Sequence, residues 1–195
     1  MEFALDATEC TVWHLPMTYP VLETERLILR APVIADFEPI CALMADEETT
    51  QFIGGTQSPP IAWRALCTII GHWQVRGYGF FSVFERESGD WIGRVGPWYP
   101  HGWPQPEIGW SMNRSTWRKG YATEAAAACM DHVVDDLGWD SIIHLIDPDN
   151  VGSQGVARKL GSTNSGREVE VAGFGMMADI WGQTADEWRA FRRPR

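Results

Sequence analysis

The chain has 195 residues and a formal net charge of −10, with 45% hydrophobic and 12% aromatic content. That length and composition predict one folded domain over residues 1–195 and exclude a disordered chain. The acidic balance excludes a non-specific nucleic-acid binder, and four scattered cysteines (Cys10, Cys41, Cys67, Cys129) without a CxxC pair exclude a structural zinc site and a dense disulfide framework.

Residues 1–20 hold acids, no basic start and no clear period. They read as an N-terminal arm rather than a secretory signal. No apolar run approaches ~20 residues, so no membrane partner is expected, and a cytoplasmic protein with free thiols is the simplest reading. Glu25 to Ala31 alternates as a strand. From Pro32 to Ala45 the apolar residues fall at helical spacing, with Asp36 near the start. Gly54, Gly55 and Pro59-Pro60 mark a loop, and Ile61 to Val75 reads as a second helix. Phe80 to Phe84 and Trp91 to Val95 form a hairpin around Ser88-Gly89-Asp90. Pro97, Pro100, Pro104 and Pro106 fill a loop before the strand Glu107 to Met112. The longest helix runs from about Gly120 to Leu137 and stops at Gly138. Ser141 to Ile146 is a short apolar run, as in a buried strand. A helix from Asn150 to Leu160 follows, then strands at about Glu168–Ala172 and Met176–Trp181. Thr184 and Glu187 have capping-box spacing for a final short helix. This order predicts an α+β domain with about seven strands.

The stretch Trp117 to Ala125 carries the most chemistry. A turn ending in Gly120 runs into a small-residue helix, whose first N–H groups and dipole form an anion site. Arg118 and Lys119 add charge there. The chain's only two lysines, Lys119 and Lys159, each stand beside an arginine near a helix end. Asn150 and Ser153 share a face at another helix start, where Asn150 is either a cap or a ligand-binding residue. Neither a Gly-x-Gly-x-x-Gly nor a Walker pattern lies at a strand–helix junction, which counts against a nucleotide-binding protein. His14, His72, His101 and His132 lack metal-ligand spacing with acids, so no metal site is expected.

Four pieces occur in order: Thr24-Glu25-Arg26-Leu27-Ile28-Leu29-Arg30, Glu107-Ile108-Gly109-Trp110, Trp117 to Ala125, and Asn150-x-x-Ser153 leading to Lys159-Leu160-Gly161. Together they resemble the GNAT acyltransferase superfamily, in particular its RimJ/RimL-type ribosomal-protein N-terminal acetyltransferase branch, over roughly residues 22–181. The resemblance implies the GNAT fold, a central mixed, mostly antiparallel sheet flanked by helices, and acetyl-CoA as donor. It implies direct acetyl transfer to a primary amine, either a protein or peptide N-terminus or a small molecule. The diphosphate would lie on the N–H groups from Arg118 through Lys119, Gly120, Tyr121 and Ala122 to Thr123. Asn150 would bond the pantetheine amides, with Ser153 near the sulfur. Tyr121 either packs on the cofactor or covers its helix.

The superfamily's Gln or Arg at the start of the turn is Trp117 here, as is common in this branch. Its thiolate-protonating tyrosine is replaced by Ala157, so Ser153 or a water takes that part, or none is needed. Glu107 is the first candidate for general base, being either an acid tuned by partial burial among Trp98, Trp103 and Trp110 or a strand-end acid exposed to solvent. His144 is either a proton relay or a satisfied core histidine. A backbone N–H near Trp110 to Met112 would meet the developing oxyanion. The alternative is a coenzyme-A-binding sensor with little turnover. Exposed tryptophans are compatible with a homodimer.

Overall fold

The structure, a computed structural model, describes residues 18–173 and 175–193; most of the expected arm lies outside these. Its strands are β1 (Leu22–Glu23), β2 (Leu27–Arg30), β3 (Phe81–Glu85), β4 (Trp91–Trp98), β5 (Glu107–Met112), β6 (Ser141–Ile146), β7 (Thr163–Val171) and β8 (Met176–Thr184). They form one sheet in the order β1-β2-β3-β4-β5-β6-β8-β7. Every neighbouring pair is antiparallel except β5 and β6. The sheet has eight strands rather than about seven, because Leu22 and Glu23 pair with Leu29 and Ile28 in a two-residue edge that is too short to show a period.

The helices are α1 (Phe37–Ala45), α2 (Glu47–Thr50), α3 (Pro59–Arg76), α4 (Tyr121–Asp135), α5 (Val151–Lys159) and α6 (Ala185–Arg192). Three boundaries differ from the sequence reading, each for a local reason. α1 starts after a tight turn at Ile34–Asp36 rather than at Pro32, because the Asp36 carboxylate accepts the Val33 N–H (3.0 Å) and both forks of Arg30 (2.8 and 2.6 Å). Pro59 and Pro60 open α3 instead of lying in a loop, since first-turn N–H groups have no helical partner to lose. β4 continues through Pro97 to Trp98, because β3 has already ended opposite Val95. Pro97 therefore removes no ladder bond on that side. The Thr184–Glu187 capping box is present, with the Thr184 N–H and hydroxyl both bonded to Glu187.

α4 packs on one face of the sheet, burying Ala125, Ala126, Cys129, Met130 and Val133 against Leu27, Leu29, Phe81, Val83 and Val95. α1 and the first half of α3 cover the other face around Trp91. Asp36 reaches this second face by accepting the Ser82 hydroxyl. These two layers leave the β5–β6 junction uncovered on the side toward α2, and the site forms there.

Candidate active site

β5 and β6 meet as parallel strands through one register pair, Glu107 with Ile143. Beyond it side chains replace the ladder. The Glu107 carboxylate accepts the Leu145 N–H (3.2 Å), and His144 Nδ1 bonds the Ile108 carbonyl (2.7 Å). A carbonyl only accepts, so Nδ1 carries the proton and Nε2 accepts from the Ser162 hydroxyl at 3.1 Å. Burial pushes the His144 imidazole down to about 4, and the ring stays neutral. With both nitrogens bonded and the ring 1% exposed, His144 fits a satisfied core histidine that ties β6 to the Ile108 carbonyl of β5.

The alternation of β5 fixes what faces the gap. The odd residues from Glu107 to Asn113 turn their backbone groups toward β4, as the bond from the Asn113 N–H to the Ile92 carbonyl shows. The even residues turn theirs into the opening, including the N–H groups of Trp110 and Met112. The Trp117 indole closes the far end by donating to the Met112 carbonyl (2.9 Å). That explains an aromatic residue at the head of the turn, which the sequence alone did not.

Glu107 is buried, at 6% exposure. Burial pushes its carboxyl up to about 7, against the downward pull of bonds from the Leu145 N–H and the Trp103 side chain. A carboxyl so placed is half ionised near neutral pH and can take a proton there.

At the opposite end, Gly120 stands at φ 86° before α4 and provides no side-chain cap. The N–H groups of Tyr121, Ala122 and Thr123 therefore have no helical partner. A Cβ on Gly120 would come within 3.4 Å of the Arg26 guanidinium. Arg118 is the one non-glycine residue with positive φ among the described residues, at 62°. That conformation costs roughly 1–2 kcal/mol.

The turn between β1 and β2 braces this one. Arg26 donates to the Lys119 carbonyl (3.0 Å) and to Glu124 (2.7 Å), and Thr24 donates to the same carboxylate (2.6 Å). Here the Thr24-Glu25-Arg26 segment, whose role was not readable in sequence, shapes the glycine turn. Tyr121 lies beneath the Arg26 guanidinium, with its hydroxyl donating to Glu85. It is buried at 8%, covers the helix start and also lines the cleft.

Asn150 caps α5, its Oδ1 accepting the Ser153 N–H (2.9 Å). The Ser153 hydroxyl oxygen accepts the Trp110 indole N–H (3.1 Å). Ala157 is enclosed with Ile146 and Trp181, and Trp110 packs against them. Indole rings thus surround the place where a tyrosine would have stood. One cleft of about 550 Å³ joins these parts, lined among others by Glu107, Trp110, Gly120, Asn150 and Ser153, with Phe52 and Ile53 from the turn after α2. Unpaired N–H donors, a glycine approach and a long groove fit a diphosphate with an extended arm.

Residues 26–163 match the acetyltransferase (GNAT) domain family. Among curated relatives, the uncharacterized N-acetyltransferase p20 of Bacillus licheniformis is 27% identical over 165 residues, covering 82% of this chain and 92% of the relative. The crystal structure of an acetyltransferase from Agrobacterium tumefaciens is 28% identical with a TM-score of 0.75, covering 85% of this chain and 95% of the other. The same fold, at 18% identity and a TM-score of 0.70 over 86% of this chain and 99% of the other, occurs in RimL, the ribosomal L7/L12 α-N-protein acetyltransferase, solved with coenzyme A. The chain belongs to the GNAT acetyltransferase family, enzymes that transfer acetyl from acetyl-CoA to an amine.

Proposed function

We propose that this protein acetylates a primary amine by direct attack in a ternary complex, with Glu107 as general base and Ser153 as the acid at the leaving sulfur. The carrying observation is that one cleft connects the uncapped start of α4 to the opening between β5 and β6 where Glu107 lies. The backbone N–H groups of Arg118, Lys119, Gly120, Tyr121, Ala122 and Thr123 hold the diphosphate of acetyl-CoA. The Asn150 side-chain NH₂ remains for the pantetheine arm. When bound, acetyl-CoA supplies an activated thioester.

A protonated amine has no lone pair, so Glu107 accepts its proton directly or through water. The Trp110 and Met112 N–H groups, already turned into the gap, stabilise negative charge on the carbonyl oxygen. Because the Ser153 oxygen accepts from Trp110, its own hydrogen points away from that bond and is free to go to sulfur. A thiolate with an ordinary pKa near ~8.5 needs little help. The acceptor is a protein or peptide N-terminus or a small amine, entering past α2. Free thiols at Cys41, Cys67 and Cys129 accord with action in the cytoplasm.

Thiol release from acetyl-CoA with a panel of amines tests the reading. Turnover on an amine supports it. Thermal stabilisation by coenzyme A with no turnover on any amine refutes it in favour of a coenzyme-A-binding sensor.

A further inference from the structure

Arg94 lies in mid-β4, directly across from Ser82 on β3 and Ser111 on β5. Directly paired residues share a face, so Arg94 stands on the α1 side of the sheet. Ser111 lines the cleft. The Arg94 Nε is enclosed and has no hydrogen-bond partner. Among the described residues no carboxylate forms an ion pair with its guanidinium. Its directed contact is with the Phe80 ring, 5.2 Å from Cζ to the ring centre.

The acids on this face are already engaged. Asp36 holds both forks of Arg30 and the Ser82 hydroxyl. Glu107 holds the Leu145 N–H and the Trp103 side chain. Burial lowers the Arg94 guanidinium only to about 10, so it is charged at neutral pH. An enclosed Nε–H with no acceptor, on a half-buried cation with no anion, is costly, and native structures seldom keep such a group without a ligand for it.

The neighbours give a direction. The Phe80 ring that Arg94 touches reaches to Gly109, where a Cβ would come within 3.0 Å of it and 3.7 Å of the Glu107 carboxylate. Guanidinium, ring and base thus follow one another along a single face of β4 and β5. The planar fork of Arg94 matches a carboxylate better than any neutral group.

We infer that Arg94 recognises a carboxylate on the acceptor, which makes the substrate an amine that also carries an acidic group. This rests on the transferase reading of the cleft. The amine sits at Glu107 and the carboxylate reaches past Phe80. The Cα atoms of Arg94 and Glu107 lie four residues and one strand apart, roughly 14 Å.

The test compares kcat/KM for amino acids of graded chain length with that for alkylamines of matching length. A peptide with Asp in second place, compared with Asn there, separates a peptide source from a free amino acid. The wild type should favour the acids, and Arg94→Met should lower that acid-over-amine ratio about ten- to a hundredfold. Arg94→Lys should retain part of it. An unchanged thermal shift with coenzyme A certifies the fold of each variant, and if Arg94→Met does not fold, Arg94→Lys and the wild-type ratio decide. A wild-type ratio near unity, or the same ratio in wild type and variant, overturns the inference and leaves the transferase reading standing. Absence of transfer to any amine overturns both.

Discussion

Replacing Glu107 by Gln should change how stability depends on pH. The carboxyl is moved by burial from an ordinary 4.5 to about 7. At about 1.4 kcal/mol per unit, that shift corresponds to about 3 kcal/mol. Below about pH 4.5 the group is protonated in both folded and unfolded chains and its contribution is fully present. As the pH rises toward 7, the unfolded chain ionises freely while the folded one resists, so this stability is lost. Gln has the same shape, still accepts the Leu145 N–H, and never ionises. The stability of Glu107→Gln minus that of wild type should therefore grow by about 3 kcal/mol between about pH 4.5 and about pH 8. Urea unfolding followed by tryptophan fluorescence measures it. Parallel pH curves for the two proteins would refute the buried, raised carboxyl and with it the case for a base poised near neutrality. In turnover, the wild type should gain kcat/KM as the pH rises through about 7, and the variant should be slower by about a hundredfold without that rise.

Gly120→Glu places a carboxylate on the α4 start and a Cβ against Arg26. Coenzyme A binding by calorimetry should be lost while the circular dichroism spectrum is kept; unchanged affinity would remove the diphosphate assignment. Ser153→Ala should lower kcat by about tenfold, a modest loss because the thiolate leaves readily, with little change in the KM for acetyl-CoA. An unaltered kcat would dismiss Ser153 as the acid. Glu124→Gln takes the charge from the group that receives Thr24 and Arg26. Denaturant unfolding should show a loss of about 1–3 kcal/mol, with weaker coenzyme A binding. Loss of stability alone would mean the brace does not shape the turn.

The order of elements was legible because each long segment had its own period and stops, and because the glycine turn into α4 carries its chemistry locally. Glu107 could be named for the same reason, as an acid opening a strand after an aromatic loop. The parts that escaped depend on residues far apart in sequence. The gap between β5 and β6 arises from His144 meeting Ile108 and Glu107 meeting Leu145, 36 and 38 residues apart. Pro97 looked like a loop residue, since only the end of β3 makes its missing donor harmless. Trp117 looked like a departure from a pattern until its indole met the Met112 carbonyl. The two alternatives left open at Asn150 are compatible: one atom caps α5 and the other faces the cleft.

The brace from Thr24 and Arg26 to the glycine turn and α4 joins positions 93 to 100 apart along the chain. Donor affinity is therefore a property of the completed tertiary structure, because no local stretch of sequence can hold that loop in shape by itself. Thermodynamic linkage runs in both directions: coenzyme in excess draws the folding equilibrium toward the native side, and its grip slackens in any variant that loosens the turn between β1 and β2. A cell poor in acetyl-CoA would then hold a slightly less robust population of this enzyme than a well-fed one.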